Sequence, residues 1–249
     1  MKINNINVVV CDDYNAVGVA AGEIFEKAML ADKKGAFGFA TGSTPIGLYK
    51  ELIKKHQEGL DFSGITTFNL DEYFPIKKES DQSYDYFMRK QLFDHVNIDY
   101  KNFNIPNGEA ADAEAECADY EKKLRGMGGV KLQILGIGHN GHIGFNEPES
   151  HFAENTHVVD LQESTIDANS RLFEKKEDVP RKALTMGIGT IMLAKEVLLI
   201  ATGEGKAEIM EKVLFGEITP MVPASVLRFH PNVTFVMDKA AAERVMKRL

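Results

Sequence analysis

Short apolar runs recur along the chain, and the segments between them place their apolar residues at helical spacing. The runs are Asn7 to Cys11, Ala36 to Ala40, Ile65 to Leu70, Val130 to Leu135, Val197 to Ala201 and Val233 to Val236. Near-continuous apolar character over so few residues marks strands buried on both faces, as in parallel sheets covered by helices. Between the first two runs, Val17, Ala20, Ala21, Ile24, Ala28 and Met29 share one helical face, and Asp12 or Asp13 can cap that helix. Further helices are predicted over Ser83 to Phe93, Glu109 to Leu124, Ala207 to Leu214 and Lys239 to Leu249, with a short one over Ser164 to Phe173. Phe103 to Ile105 and His157 to Leu161 read as short extended pieces, and Ala183 to Ala194 carries Gly187 and Gly189 near a helix start.

Strands thus alternate with helices from end to end, without a Pro- or Ser-rich linker, a low-complexity tract or an internal repeat. The economical reading is a single three-layer α/β/α domain over residues 1–249, with a mainly parallel, Rossmann-like sheet. Right-handed crossovers place the turns that follow the strands along one edge of such a sheet. That edge would gather Gly42, Ser43, Thr44, Asp71, His142, Glu147 and Lys206 around one cleft. Residues 160–180, polar through Asp167, Glu174, Glu177 and Asp178, predict a small mobile lid.

Composition narrows the class. With 249 residues the chain is long enough to bury most of its apolar surface, and 44% hydrophobic and 27% charged residues are ordinary for a globular protein. A net charge of −8 argues against broad nucleic-acid or anionic-membrane binding, while leaving room for a small basic pocket that takes an anionic metabolite. No long apolar run, signal peptide or lipidation motif is found, so a cytoplasmic protein is expected. Cys11 and Cys117 form no C-x-x-C pair and read as incidental free thiols.

The densest chemistry follows the Val130 to Leu135 run. Leu135 to Pro148 packs Gly136, Gly138, Gly141, Gly144, His139, His142 and Glu147 into one loop. Glycines there let the backbone turn and let a ligand approach, while His142 and Glu147 are residue types that move protons near neutral pH. Three other readings compete. Gly136, Gly138 and Gly141 satisfy G-x-G-x-x-G, with Asp160 at the distance of a ribose-binding acid, but Gly144, Asn146 and Pro148 break the helix that fingerprint must open. His139, His142, His151, His157 and Glu147 offer zinc-ligand types at no standard spacing. A plain glycine turn with solvated histidines accounts poorly for so many glycines around one His and one Glu.

Other turns add to this. Thr41 to Pro45 follows a strand, with Thr44 suited to N-cap and Pro45 to the first helical turn; it is either a phosphate site or simply a capped turn. Asp71 and Glu72 end a strand, where a carboxylate either faces the site or is solvated. Thr202 to Ala207 resembles a P-loop only superficially, since Ile200 stands at the first glycine position and Ala207 replaces the magnesium-binding hydroxyl. Lys206 is still well placed to hold a phosphate, and Arg171 reads as a surface cation or a lid residue. Taken alone, these residues describe an acid/base enzyme for a small phosphorylated metabolite, without metal or cofactor.

The strings Ala40 to Pro45, Phe68-Asn69-Leu70-Asp71-Glu72-Tyr73, Gly138 to Pro148, Ala168-Asn169-Ser170-Arg171 and Gly205-Lys206-Ala207, in order along nearly the whole chain, resemble the glucosamine-6-phosphate deaminases. The resemblance implies hydrolytic deamination of glucosamine 6-phosphate to fructose 6-phosphate and ammonia, in amino-sugar catabolism. It implies that His142 opens the sugar ring, Asp71 moves a proton from C2 to C1, and Glu147 orients the histidine. Gly42, Ser43, Thr44, Arg171 and Lys206 match the phosphate grip. The related 6-phosphogluconolactonases resemble this chain poorly at the Asp71 and His142 strings.

Two departures stand out. Many members carry Asp where this chain has Asn140, which is expected to accept a hydrogen bond from the imidazole without adding charge. Allosteric, hexameric members carry basic residues shortly after the Glu-Pro, whereas Ser150 to Leu161 here has no Lys or Arg. The expectation is therefore a monomer without activation by N-acetylglucosamine 6-phosphate. A lactonase of the same fold, a non-catalytic sugar-phosphate sensor and a zinc hydrolase stay as alternatives.

Overall fold

The computed structural model describes residues 1–163, 166, 175 and 178–249. Its strands, in chain order, are β1 (Lys2–Ile3), β2 (Ile6–Cys11), β3 (Ala36–Phe39), β4 (Thr66–Asn69), β5 (Asp71–Phe74), β6 (Phe103–Asn104), β7 (Leu132–Leu135), β8 (His157–Asp160), β9 (Lys182–Thr185), β10 (Glu196–Ala201) and β11 (Val233–Asp238). The helices used below are α1 (Tyr14–Ala31), α2 (Ile46–Gln57), α3 (Tyr84–Gln91), α4 (Ala113–Gly126), α5 (Ile188–Ile191), α6 (Ala207–Phe215) and α7 (Lys239–Met246). Eight strands form one sheet in the order β1-β2-β11-β10-β7-β3-β4-β6, and only β1 runs antiparallel to its neighbour.

Burial explains why these runs pair. Every residue of β3 and of β7 is buried, as is Val197 to Ala201 in β10. Register shows that the sheet is covered on both sides. Phe37 pairs with Thr67 and Gly38 with Phe68, so Phe37 and Phe68 point to opposite faces. Phe25 of α1 packs on Phe37 and Phe39, while Tyr120 of α4 packs edge-on against Phe68. Helices α1 and α4 therefore lie on opposite faces, which gives the expected three layers. Asp13 caps α1 by accepting from the Ala16 N–H, and Asp112 caps α4.

A second sheet, β5-β9-β8, is antiparallel and was not expected from the sequence. Asp71 to Phe74 reads as a turn because acids lead it and Pro75 follows, yet it is a strand that continues from β4 almost without interruption. Its partner Lys182 to Thr185 falls in a stretch read as the approach to a helix. Leu70 joins the two sheets: its N–H donates to Phe39 O and its carbonyl accepts from Met186 N–H.

The chain also chooses where the site lies. From β3 it passes to β4, outward on one side, and from β7 it eventually passes to β10, on the other. Connections that leave in opposite directions open a crevice at the carboxyl ends of β3 and β7. The loops after these strands meet there, with the Thr44 side chain 4.0 Å from where a Cβ on Gly136 would sit. The helix expected over Ser164 to Phe173, and most of the lid expected over 160–180, lie outside the described residues.

Candidate active site

Asp71 opens β5, and strand alternation sends it and Tyr73 to one face and Glu72 to the other. Asp71 is 6% exposed and makes no hydrogen bond to any described residue. Burial first, and the neighbouring Glu72 anion second, push its carboxyl up to about 8. Tyr73, Tyr84 and Phe145 wall this face, with the Tyr84 and Phe145 rings parallel at 6.2 Å. Thr185, paired with Asp71 across the strands, accepts the Phe145 N–H through its hydroxyl at 3.1 Å.

The loop after β7 is a tight turn closed by Gly138 N–H to His142 O at 2.9 Å and Gly141 N–H to Gly138 O at 3.1 Å. Two glycines are required there. Gly141 has φ +91°, and a Cβ on Gly138 would lie 2.2 to 2.4 Å from the His142 ring. The His142 ring therefore lies directly over the Gly138 backbone. Its Nδ1 is 3.2 Å from Glu147 Oε1, an ion-pair separation without hydrogen-bond alignment. Asp71 comes close from the other side, since a Cβ on Gly144 would lie 3.5 Å from Asp71 Oδ2.

Asn140 acts differently from expectation. Its Oδ1 accepts the backbone N–H of His142 at 3.1 Å, and its amide donates to Glu147 Oε2 at 2.5 Å. An Asx side chain two residues before an N–H closes naturally into such a turn, which uses up the oxygen that would have faced the imidazole. Asn140 thus orients Glu147 rather than the ring. Glu147 stands between a histidine nitrogen on one oxygen and an amide on the other.

Gly42 and Ser43 are exposed at the mouth of the crevice and Thr44 is half-buried. Gly42 has φ +95°, with open space where a Cβ would be. The loop is pinned by Tyr14, whose hydroxyl donates to Ser43 O and accepts the Gly47 N–H, each at 2.9 Å. The expected Thr44 cap is not formed. Pro45, already in helical geometry, occupies the N-cap position of α2 and cannot cap it, so Tyr14 takes the Gly47 N–H instead. Apart from that N–H, the first turn of α2 presents backbone donors to a ligand.

Lys206 ends a 3-10 turn, Glu204–Lys206, that leads into α6. Its ammonium is half-buried, is pushed down by that burial, and has no carboxylate of the described residues in ion-pair range. Such a cation lacks an anion. Two contacts invisible in the sequence place this turn: the Asp238 carboxylate accepts the Gly203 N–H at 2.9 and 3.1 Å, and His139 Nδ1 donates to Gly205 O at 3.1 Å. A carbonyl only accepts, so that nitrogen of His139 carries the proton.

Of the residues singled out in the sequence, His142, Asn140 and Glu147 are joined by direct contacts, Asp71 and Thr44 approach the same loop at Gly144 and Gly136, Gly42 and Ser43 adjoin Thr44, and Lys206 is linked to the loop through His139. Arg171 lies outside the described residues. Among those residues, no group of three or more His, Cys, Asp or Glu is arranged to hold a metal ion. The nucleotide reading fails on the fold: the Gly136-Gly138-Gly141 stretch opens a turn and not a helix, and Asp160 is exposed at the end of β8 in the second sheet. Glu72 was read by default as a solvated acid; it is buried and accepts three backbone N–H groups. Only its place after a buried strand signalled this.

A parallel α/β sheet whose ligand edge carries a buried carboxyl and, on the adjoining loop, a histidine–glutamate pair fits an acid–base enzyme. Residues 15–236 match the model of the family described as glucosamine-6-phosphate isomerases/6-phosphogluconolactonase, and the chain belongs to that family. It is 48% identical over 241 residues to a glucosamine-6-phosphate deaminase of Clostridioides difficile (strain 630), covering 96% of this chain and 97% of that one. Its fold matches that of a monomeric glucosamine-6-phosphate deaminase with TM-score 0.93 and 43% identity, over 96% of this chain and 100% of the other. A 6-phosphogluconolactonase from Leishmania guyanensis shares the fold alone, with TM-score 0.77 and 24% identity over 96% of this chain and 98% of that one.

The Asp71 environment makes a stability prediction. Its folded-state affinity for a proton lies above that of an exposed carboxyl, so the folded protein binds more protons than the unfolded one between roughly pH 4 and 8 and loses stability as pH rises through that window. Asp71→Asn should therefore stabilise the protein at pH 8.5 or so, by on the order of 1 kcal/mol or more, with the gain shrinking toward pH 4. Denaturant unfolding at the two pH values measures it. A variant less stable than wild type at the higher pH would contradict the burial argument.

Proposed function

We propose that the chain is a glucosamine-6-phosphate deaminase, converting glucosamine 6-phosphate and water to fructose 6-phosphate and ammonia in amino-sugar catabolism. The observation that carries the reading is Asp71, a buried carboxyl that accepts no hydrogen bond from any described residue and lies against Gly144 of the loop whose His142 stands 3.2 Å from Glu147. Binding alone would not need such a group, because an unpaired buried carboxyl weakens the fold unless proton transfer uses it.

In the proposed sequence, the phosphate is gripped by the Gly42, Ser43 and Thr44 backbone at the start of α2 and by Lys206, with Arg171 as a further cation. His142 takes the proton of the anomeric hydroxyl and returns it to the ring oxygen as the C1–O5 bond breaks, leaving an aldehyde at C1. Glu147, held by Asn140, keeps the ring oriented and supports its positive charge in passing. Asp71 then removes the C2 proton; the electron pair forms the C1–C2 double bond and the carbonyl oxygen takes a proton given up by the substrate's own ammonium group, leaving a neutral enolamine. Return of the proton from Asp71 to C1 produces an iminium at C2. Water adds there, ammonia leaves and the ketone remains. One base serves both carbons because they are adjacent on one face of the open chain.

The chain works as a single domain of residues 1–249, in the cytoplasm and as a monomer. The likeness to a monomeric deaminase supports the last point, as does the absence of Lys and Arg from Ser150 to Leu161. Among the described residues no helix is long and apolar enough to cross a membrane.

Ammonia release with parallel formation of fructose 6-phosphate should be stoichiometric in the wild type, and Asp71→Asn should lower kcat by about three orders of magnitude or more while the variant still binds the sugar phosphate. A folded wild type that binds the substrate and releases no ammonia would sink the reading. In the same assay, substrate saturation should be hyperbolic and indifferent to N-acetylglucosamine 6-phosphate; sigmoidal saturation relieved by that ligand would refute the monomer.

A further inference from the structure

Glu72 is buried, ionisable and unused by the chemistry above, and it sits beside the residue on which that chemistry turns. It is 2% exposed and faces the rear of β5, away from the substrate crevice. Its Oε1 accepts the Tyr73 and Tyr84 N–H groups, each at 2.9 Å, and its Oε2 accepts the Asp85 N–H at 3.0 Å. Tyr84 and Asp85 are the first two residues of α3. The hydroxyl of Ser83, the N-cap residue, takes the third free N–H, that of Tyr86, at 3.0 Å. The helix start is therefore capped jointly, and the larger share comes from a side chain on another element.

The cleft behind Glu72, about 400 Å³, is lined by Lys78, Arg89 and Lys123, yet among the described residues none of them forms an ion pair with Glu72. Arg89 is committed to Asp85 at 2.5 Å and stacks over Tyr100, and Lys78 stands 3.8 Å from Asp85. Among the described residues, backbone N–H groups and the positive end of α3 offset part of the cost of burying Glu72, whose carboxyl burial still pushes up to about 7.

Helix α3 puts Tyr84 on the substrate side. Its ring packs on Tyr73 with centroids 4.9 Å apart and stacks on Phe145, and its hydroxyl lies within the influence of the Thr41 side chain. Tyr84 thus touches the loop after β3, the strand that holds Asp71 and the loop that holds His142. We propose that Glu72 is a positioning residue for the reaction: from the rear of β5 its carboxylate anchors the first turn of α3, and that turn holds Tyr84 across the site face beside Asp71. The proposal rests on the deaminase reading.

A carboxylate suits this role better than an amide. It has an acceptor oxygen for every one of the three N–H groups, whereas a glutamine would point its own N–H₂ at the Asp85 or Tyr84 donor. The charge has a second effect, because Glu72 adds to burial in making Asp71 hold its proton. The other titratable groups around Asp71 are Tyr73 on its own strand, Tyr49 from α2, Tyr84 from α3 and Tyr120 from α4, while the loop that carries His142 and Glu147 approaches it at Gly144. Of these neighbours, Glu72 is the one whose charge bears on Asp71 from the side away from substrate.

The test compares wild type, Glu72→Gln, Tyr84→Ala and the double variant for kcat, KM, the pH dependence of kcat/KM and Tm. Glu72→Gln should lower kcat about 10-fold or more with KM changed less than about 3-fold, as expected when geometry at the reacting centre loosens and the phosphate grip does not. The acid limb of kcat/KM should move to lower pH, since Asp71 loses a neighbouring negative charge. With Tyr84 already removed, the same substitution should change kcat by less than about 2-fold. A lowered Tm with kcat and the acid limb unmoved, or losses that simply multiply in the double variant, would reduce Glu72 to a helix cap and overturn the proposal. Should Glu72→Gln not fold, Glu72→Asp decides: the charge is kept and the reach is lost, so kcat should fall while the acid limb stays, and an unchanged kcat would overturn the proposal. A wild type that releases no ammonia fails the deaminase reading instead.

Discussion

A buried carboxyl is the constraint that organises this protein. Burial of Asp71, which accepts no hydrogen bond from any described residue, opposes folding at any pH where the group ionises, and the neighbouring Glu72 adds to that cost. The rest of the fold must hold it there. The chain does so by running β4 of the main sheet straight into β5 of the second sheet, with the Leu70 peptide bonded to both sheets. Asp71 thus stands where two sheets meet, on backbone that cannot shift without breaking one of them.

The histidine loop is built on the opposite strategy, in which side-chain and backbone hydrogen bonds hold the turn, although Asn146 Oδ1 is buried without a partner among the described residues. Asn146 donates to Ile143 O and Met186 O, Phe145 N–H goes to Thr185, and Asn140 spans His142 N–H and Glu147. This leaves the imidazole resting on Gly138 with one carboxylate at its edge. A hydrogen-bonded loop and an unbonded acid are complementary needs: the first keeps a proton shuttle in register, and the second keeps a base reactive. Glu72 joins them from behind by fixing the helix whose Tyr84 touches both.

The sequence carried the main sheet openly, because strands such as Ala36 to Phe39 and Leu132 to Leu135 are buried on both faces and cannot hide their apolar character. It carried His142, Glu147 and the glycines for a similar reason, since few turns need so much backbone freedom. The second sheet was mostly hidden, since of its strands only His157 to Asp160 falls where an extended piece was expected. Its strands are four residues each, begin or end with charge, and acquire strand geometry only from partners far away in the chain. Glu72 was misread with it, because the rear of a strand that is not anticipated cannot be recognised as an interior. Thr44 and Asn140 show a subtler limit: residue type told that each would bond a neighbour or ligand, while the competing backbone geometry of Pro45 and of the Asn140 turn decided which.

The account's central claim is that one buried carboxyl carries a proton from C2 to C1 in a site that water does not freely enter. Glucosamine 6-phosphate deuterated at C2, turned over by the wild-type protein in ordinary water, tests it most directly. The account predicts a primary isotope effect on kcat and a measurable share of the deuterium at C1 of fructose 6-phosphate. Fructose 6-phosphate without deuterium at C1, formed at an unchanged rate, would contradict it.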